Sequence, residues 1–125
     1  MPSKAKLRVT SHIEITTKIA GVTHDDPSTG MNRQALIRKH VRPGMQLTPE
    51  AEPDNPYDPG AVGLWYRARF GLFMRDVHLG YIGRTHSAYV AEKLRAGNRV
   101  TVTVAQVTGG SKDRPTLGVN IVIRF

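Results

Sequence analysis

The sequence predicts a mainly β domain, a small barrel or strongly curved sheet of about six or seven short strands with two short helices. Three observations carry that expectation. Several short segments alternate apolar and polar residues, the period of a strand with one buried face. Turn-forming clusters drawn from 12 glycines and 8 prolines separate them. The 125 residues suffice for one hydrophobic core and fall short of two domains of ordinary size.

Taken in order, residues 1–10 read as a basic flexible start, and the domain proper covers 11–125. Ile13, Ile15, Thr17 and Ile19 alternate with Glu14, Thr16 and Lys18 as a first strand. The run Asp25-Asp26-Pro27-Ser28-Thr29-Gly30 breaks it, and Asn32 to Val41 follows as a short amphipathic helix stopped by Pro43-Gly44. Met45 to Glu52 reads as a second strand that runs into Pro53 to Gly60, where three prolines forbid helix and fix an irregular loop. Ala61 to Tyr66 is a third strand. Arg69 to Met74 and Val77 to Ile82 are expected to pair around a turn at Arg75-Asp76. Thr85 or Ser87 is expected to cap a helix through Leu94, with Tyr89, Val90, Ala91 and Leu94 as its apolar face and Gly97 as its stop. Val100, Val102 and Val104, then Leu117, Val119, Ile121, Ile123 and Phe125, mark two closing strands around a Gly109 to Pro115 turn.

Charge points to a partner class. With 18 Lys and Arg against 10 Asp and Glu the net charge is +8, which suits a polyanion, although it also suits a merely soluble basic protein. The absence of cysteine excludes disulfide scaffolds, thiolate zinc sites and thiol nucleophiles, and it fits a reducing compartment. No apolar stretch is long enough for a membrane span, and none follows the basic start as a secretory signal would require. A cytoplasmic protein is therefore expected, nucleoid-associated if bacterial, with no membrane partner.

Enzymatic templates find little to hold. Gly109-Gly110-Ser111-Lys112 resembles the end of a phosphate-binding loop but joins two strands instead of opening a helix. His12, His24, His40, His78 and His86 form no metal-binding spacing, and each reads as a surface or satisfied core residue except His24, which stands where a strand ends beside a flexible loop. Glu50, Glu52, Asp54 and Asp58 gather four carboxylates in nine residues, a density that can hold Mg²⁺ for phosphodiester cleavage. The lysine that many such nucleases place two residues after an acid is missing, and Asp54 and Asn55 serve equally well as turn formers. No cofactor and no metal is expected. Of the eight aromatics, Trp65, Phe70 and Phe73 read as core, whereas Tyr57 in its proline-rich loop reads as a ligand contact.

At this loop the chain resembles a known family. The string Glu52-Pro53-Asp54-Asn55-Pro56-Tyr57-Asp58-Pro59-Gly60-Ala61-Val62, followed by Leu79-Gly80-Tyr81-Ile82 and a helix, is similar to the HIRAN domain. So are Asn32-Arg33-Gln34 opening the first helix and Pro43-Gly44 before the second strand. The resemblance covers roughly Ile13 to Val107. It implies an OB-like β-barrel with two helices that binds single-stranded DNA at a free 3′-hydroxyl end, without catalysis and with an association to DNA repair. Family members serve as a module of Swi/Snf-type translocases or as small standalone proteins.

The resemblance implies an end-binding pocket of Asn55, Tyr57 and Asp58, in which Asp58 accepts a hydrogen bond from the hydroxyl and Tyr57 packs on the terminal nucleotide. It implies a pocket role for Tyr81 and a phosphate contact for Arg84. Where better-known members carry stacking aromatics this chain has Thr23 and His24, so His24 is the stacking candidate. Arg33, Arg38, Arg67, Arg69, Arg75 and Arg84 are candidates for backbone contacts, and the long excursion from Arg67 to Asp76 adds a basic lip. The expectation is a monomeric, non-enzymatic module for single-stranded DNA ends, working alone or docked onto a separately encoded translocase or nuclease. A metal-dependent nuclease or its accessory subunit, and a protein-interaction barrel, are the rival readings.

Overall fold

Residues 13–125 are described by a computed structural model in which six antiparallel strands close into a barrel. The expected basic start, 1–10, lies outside the described residues. Strand β1 (Glu14–Ala20) leads to helix α1 (Arg33–His40), β2 (Gln46–Ala51), β3 (Val62–Phe70), β4 (Phe73–Ile82), helix α2 (Arg84–Arg95), β5 (Thr101–Thr108) and β6 (Gly118–Arg124). Around the barrel the order is β1-β4-β3-β2-β5-β6. The mainly β expectation with two helices therefore holds, and the barrel closes through β1, which pairs with β4 only at the C-terminal end of that strand.

Alternation sets the core. Ile19, Leu64, Val77, Leu79, Val102, Val104, Val119, Ile121 and Ile123 point inward and are buried. Leu36, Ile37 and Val41 of α1 and its C-cap, and Val90 and Ala91 of α2, join the same cluster. Asn32 caps α1 by accepting from the Ala35 N–H at 3.0 Å. Gln34 ties α1 to the start of β6, donating to Leu117 O at 2.9 Å and accepting from Leu117 N at 2.7 Å.

Two local expectations need correction. The β3–β4 turn falls at Gly71-Leu72, not at Arg75-Asp76, because Phe70 pairs with Phe73 and the strands continue through Arg75 and Asp76. A two-residue hairpin whose first central residue has positive φ wants glycine there, and Gly71 sits at φ +61°. Second, α2 is not capped by Thr85 or Ser87. Its N-cap is Gly83, with no side-chain cap bond, and Ser87 is buried in the first turn.

Candidate nucleic-acid interface

The candidate site lies where β1, β4, α2 and the Pro53–Gly60 loop meet. Ladder β1–β4 has only two register pairs, Ile19↔Ile82 and Ala20↔Tyr81, so β4 toward its middle has no neighbouring strand on that side. Side chains take over the missing ladder. Asp26 accepts from the His78 backbone N–H at 3.0 Å, and Arg33 Nε donates to the His78 carbonyl at 2.9 Å. A buried carboxylate and a buried guanidinium thus grip one peptide segment of β4 and satisfy groups that water cannot reach.

From His78 the network turns toward the loop. Arg33 Nη2 lies 2.7 Å from His78 Nδ1, and a guanidinium can only donate, so Nδ1 is the acceptor and the ring proton resides on Nε2. That proton goes to Glu52 Oε2 at 2.9 Å. Glu52 Oε1 accepts from Asn55 Nδ2 at 3.1 Å, and Asn55 Oδ1 accepts from the N–H groups of Tyr57 at 2.9 Å and Asp58 at 3.1 Å. The chain Arg33, His78, Glu52, Asn55 therefore fixes the backbone that carries Tyr57 and Asp58. Asp58 Oδ1 closes the loop by accepting from the Gly60 N–H at 2.9 Å.

The resulting cavity, about 220 Å³, is lined by Asn55, Tyr57, Asp58, Tyr81 and Arg84 over an apolar floor of Ala20, Ala61 and Ile82. Five of the six site residues read from the sequence thus converge. The sixth, His24, is exposed on the loop after β1 and does not line this cavity. Tyr57 is 88% exposed, a ring held out by rigid loop backbone with no internal partner to bury it. Asn55 lines the cavity, but its side chain is committed to the loop. Arg84 Nε stands 3.7 Å from Asp58 Oδ2, and Nη2 reaches the Tyr57 carbonyl at 3.4 Å. Arg84 also opens α2, whose first N–H groups have no side-chain cap and leave a positive helix end beside the cavity.

Sequence reasoning missed the support beneath this site. His78 read as an ordinary histidine, yet it is the buried hub, and Arg33 read as a phosphate contact, yet it is 2% exposed and bonded inside the fold. The signal lay in the Asn32-Arg33-Gln34 string: an arginine directly after a helix cap points back at the elements the helix packs on. Arg38, Arg67, Arg69, Arg75 and Arg84 are exposed as expected. Phe73, expected in the core, is 74% exposed, because the turn at Gly71-Leu72 carries it past the barrel. Trp65 and Phe70 are half-buried. The four clustered acids do not converge as metal ligands, and no group of three His, Cys, Asp or Glu side chains suited to a metal occurs among the described residues.

Residues 14–125 match the family model of the HIRAN domain. The chain belongs to the HIRAN domain family. HIRAN domains are DNA-binding and generally non-catalytic. The fold is similar to a crystal structure of a Lactobacillus plantarum protein, 21% identical over 91% of this chain and 96% of that one, with a TM-score of 0.61. It is also similar to the crystal structure of the HIRAN domain of human HLTF, 10% identical over 89% of this chain and 74% of that one, TM-score 0.55. No curated protein sequence gave a match.

Proposed function

We propose that this HIRAN domain is a non-enzymatic module that holds the 3′-hydroxyl end of single-stranded DNA in the cavity between the Asn55–Gly60 loop and the start of α2. The observation that carries the reading is Asp58, a carboxylate placed in a cavity otherwise suited to phosphate. Along a continuing strand it would repel the backbone. Where the strand stops, it has a donor to accept from, and a hydroxyl bonded to an ionised acceptor contributes about 1.5–3 kcal/mol. Asp58 Oδ1 is engaged by Gly60, while Oδ2 has only the exposed Arg84 at 3.7 Å, so Oδ2 is the acceptor for the terminus.

The neighbours suit the same ligand. Tyr57 offers a ring face to the terminal base, worth about 1–3 kcal/mol by stacking, and Arg84 with the uncapped end of α2 suits the adjoining phosphate. A separately encoded translocase or nuclease is the class of partner that would use such a module. The test compares linear and circular single strands of one sequence in EDTA. Linear strands should bind at least about tenfold tighter, without cleavage when Mg²⁺ replaces the chelator. Equal affinity would refute end recognition, and metal-dependent nicking lost in Asp54→Ala or Asp58→Ala would favour a nuclease.

A further inference from the structure

The β3–β4 hairpin ends in three consecutive exposed apolar side chains: Leu72 is 92% exposed, Phe73 74% and Met74 48%. Such a run weakens solubility and folding unless something uses it. Arg67, Arg69 and Arg75 surround it and form no ion pair among the described residues. A cluster of arginines on each copy disfavours self-association through this tip and favours a polyanion.

The tip is also continuous with the end-binding cavity. Behind the outer face of the sheet the buried ring of His78 stands 4.7 Å from that of Tyr81 and 4.8 Å from that of Trp65, joining the two half-buried rings. Trp65, Tyr66 and Arg67 then line a second cavity of about 390 Å³ together with Thr48, Glu50 and Asp76. Arg69 and its partner Met74 continue toward the turn. Gly63 pairs with Tyr81 at the cavity and Phe70 with Phe73 at the tip, so the two sites are about 23 Å apart at a strand rise of about 3.3 Å.

We propose that the tip is a wedge for duplex DNA. The reading rests on end binding: the tail held at Asp58 follows the outer face of β3–β4 past Arg67 and Arg69, and at the hairpin end Leu72 in the turn, with Met74 on that face and Phe73 on the opposite one, abuts the first base pair where the tail meets duplex. Apolar side chains set among arginines are the combination that unstacks a base step while holding the backbone. At about 3.4 Å per stacked base the junction would lie about seven nucleotides from the 3′ end, and fewer if the strand is stretched.

The test measures binding of the full chain to a plain single strand, to duplexes with 3′ tails of about 2 to 12 nucleotides, to blunt duplex and to phosphatidylserine vesicles. Wild type should bind the best tailed duplex about tenfold tighter than the plain tail, with an optimum at or below about seven nucleotides. In Leu72→Ser/Phe73→Ser that gain should vanish while plain single-strand affinity and the salt slope stay put, since apolar contacts release no counterions. Both side chains are exposed, so the variant keeps its fold. No gain at any tail length, or equal losses on plain and tailed strands, would overturn the wedge. So would vesicle binding that the variant abolishes while DNA binding is untouched. Variant-sensitive duplex binding without single-strand binding would sink end recognition and leave the duplex contact standing.

Discussion

His78 Nε2 and Glu52 Oε2 meet at 2.9 Å directly over the backbone of Gly63, where a Cβ would collide with both atoms. This bond joins a buried hub on β4 to the loop that carries Tyr57 and Asp58. Three residues distant in sequence therefore meet at one packed junction beneath the cavity.

Glu52→Gln tests that linkage. A glutamine amide can accept from His78 or from Asn55, but its NH₂ then faces the other donor, so one bond is replaced by a donor–donor conflict. We expect a stability loss of about 1–3 kcal/mol and a loss of single-strand affinity of tenfold or more, read by denaturant unfolding and anisotropy. Unchanged affinity in the folded variant would show that the loop does not need the link.

Gly63→Ala probes the same point sterically. The added methyl has no room, and overpacking of this kind costs about 1–3 kcal/mol. Because His78 and Glu52 must part to admit it, DNA affinity should fall along with the melting temperature. A variant as stable as the wild type would refute the close approach.

Acid stability should have two limbs. Burial raises the Asp26 pKa, but hydrogen bonds from Ser28, His78 and Thr29 outweigh it, and the net value lies below the ordinary 3.8. Its contribution is full above that value and is lost as pH falls through the lowered one. His40 is held below 6.5 by burial and by Lys39 and Arg42, so the unfolded chain takes up the proton first and stability begins to fall below about pH 6.5. Unfolding free energy against pH should show both losses, His40→Gln should remove the upper one, and Asp26→Asn should remove the lower while reducing stability throughout. A flat profile from pH 7 to about pH 4 in the wild type would contradict the His40 assignment.

Arg84 and Arg33 should part company in salt titrations. Each phosphate neutralised on a single strand contributes a log–log slope of about −0.7. Arg84→Ala should flatten the slope by about that amount with little change in stability, since the side chain is 80% exposed. Arg33→Gln should destabilise the fold and leave the slope of the remaining native protein unchanged. A slope change in Arg33→Gln would place that guanidinium on DNA after all.

The contrast shows what the sequence carried. Strand alternation in Glu14–Ala20 and Thr101–Thr108, the short helix α1 stopped by Pro43-Gly44 and the loop ending at Gly60 were legible because each is decided by neighbours in the chain. So was the gathering of Tyr57, Asp58, Tyr81 and Arg84, through the family resemblance. The buried Arg33 and His78 were not, because which arginine of a basic protein turns inward depends on the two-pair β1–β4 ladder, a tertiary feature. The turn at Gly71-Leu72 was misplaced because Arg75-Asp76 looked polar enough to turn, whereas the positive φ at Gly71 decides the hairpin.

The most direct measurement is a competition between single strands ending in 3′ hydroxyl and 3′ phosphate, for the wild type and for Asp58→Ala. A phosphate would meet the Asp58 carboxylate as a second anion, so the hydroxyl form should win by about tenfold to more than a hundredfold. In Asp58→Ala the preference should largely vanish while salt-dependent binding through the arginines persists. Equal affinity of the wild type for both ends, or a preference that survives Asp58→Ala, would contradict end recognition by this carboxylate.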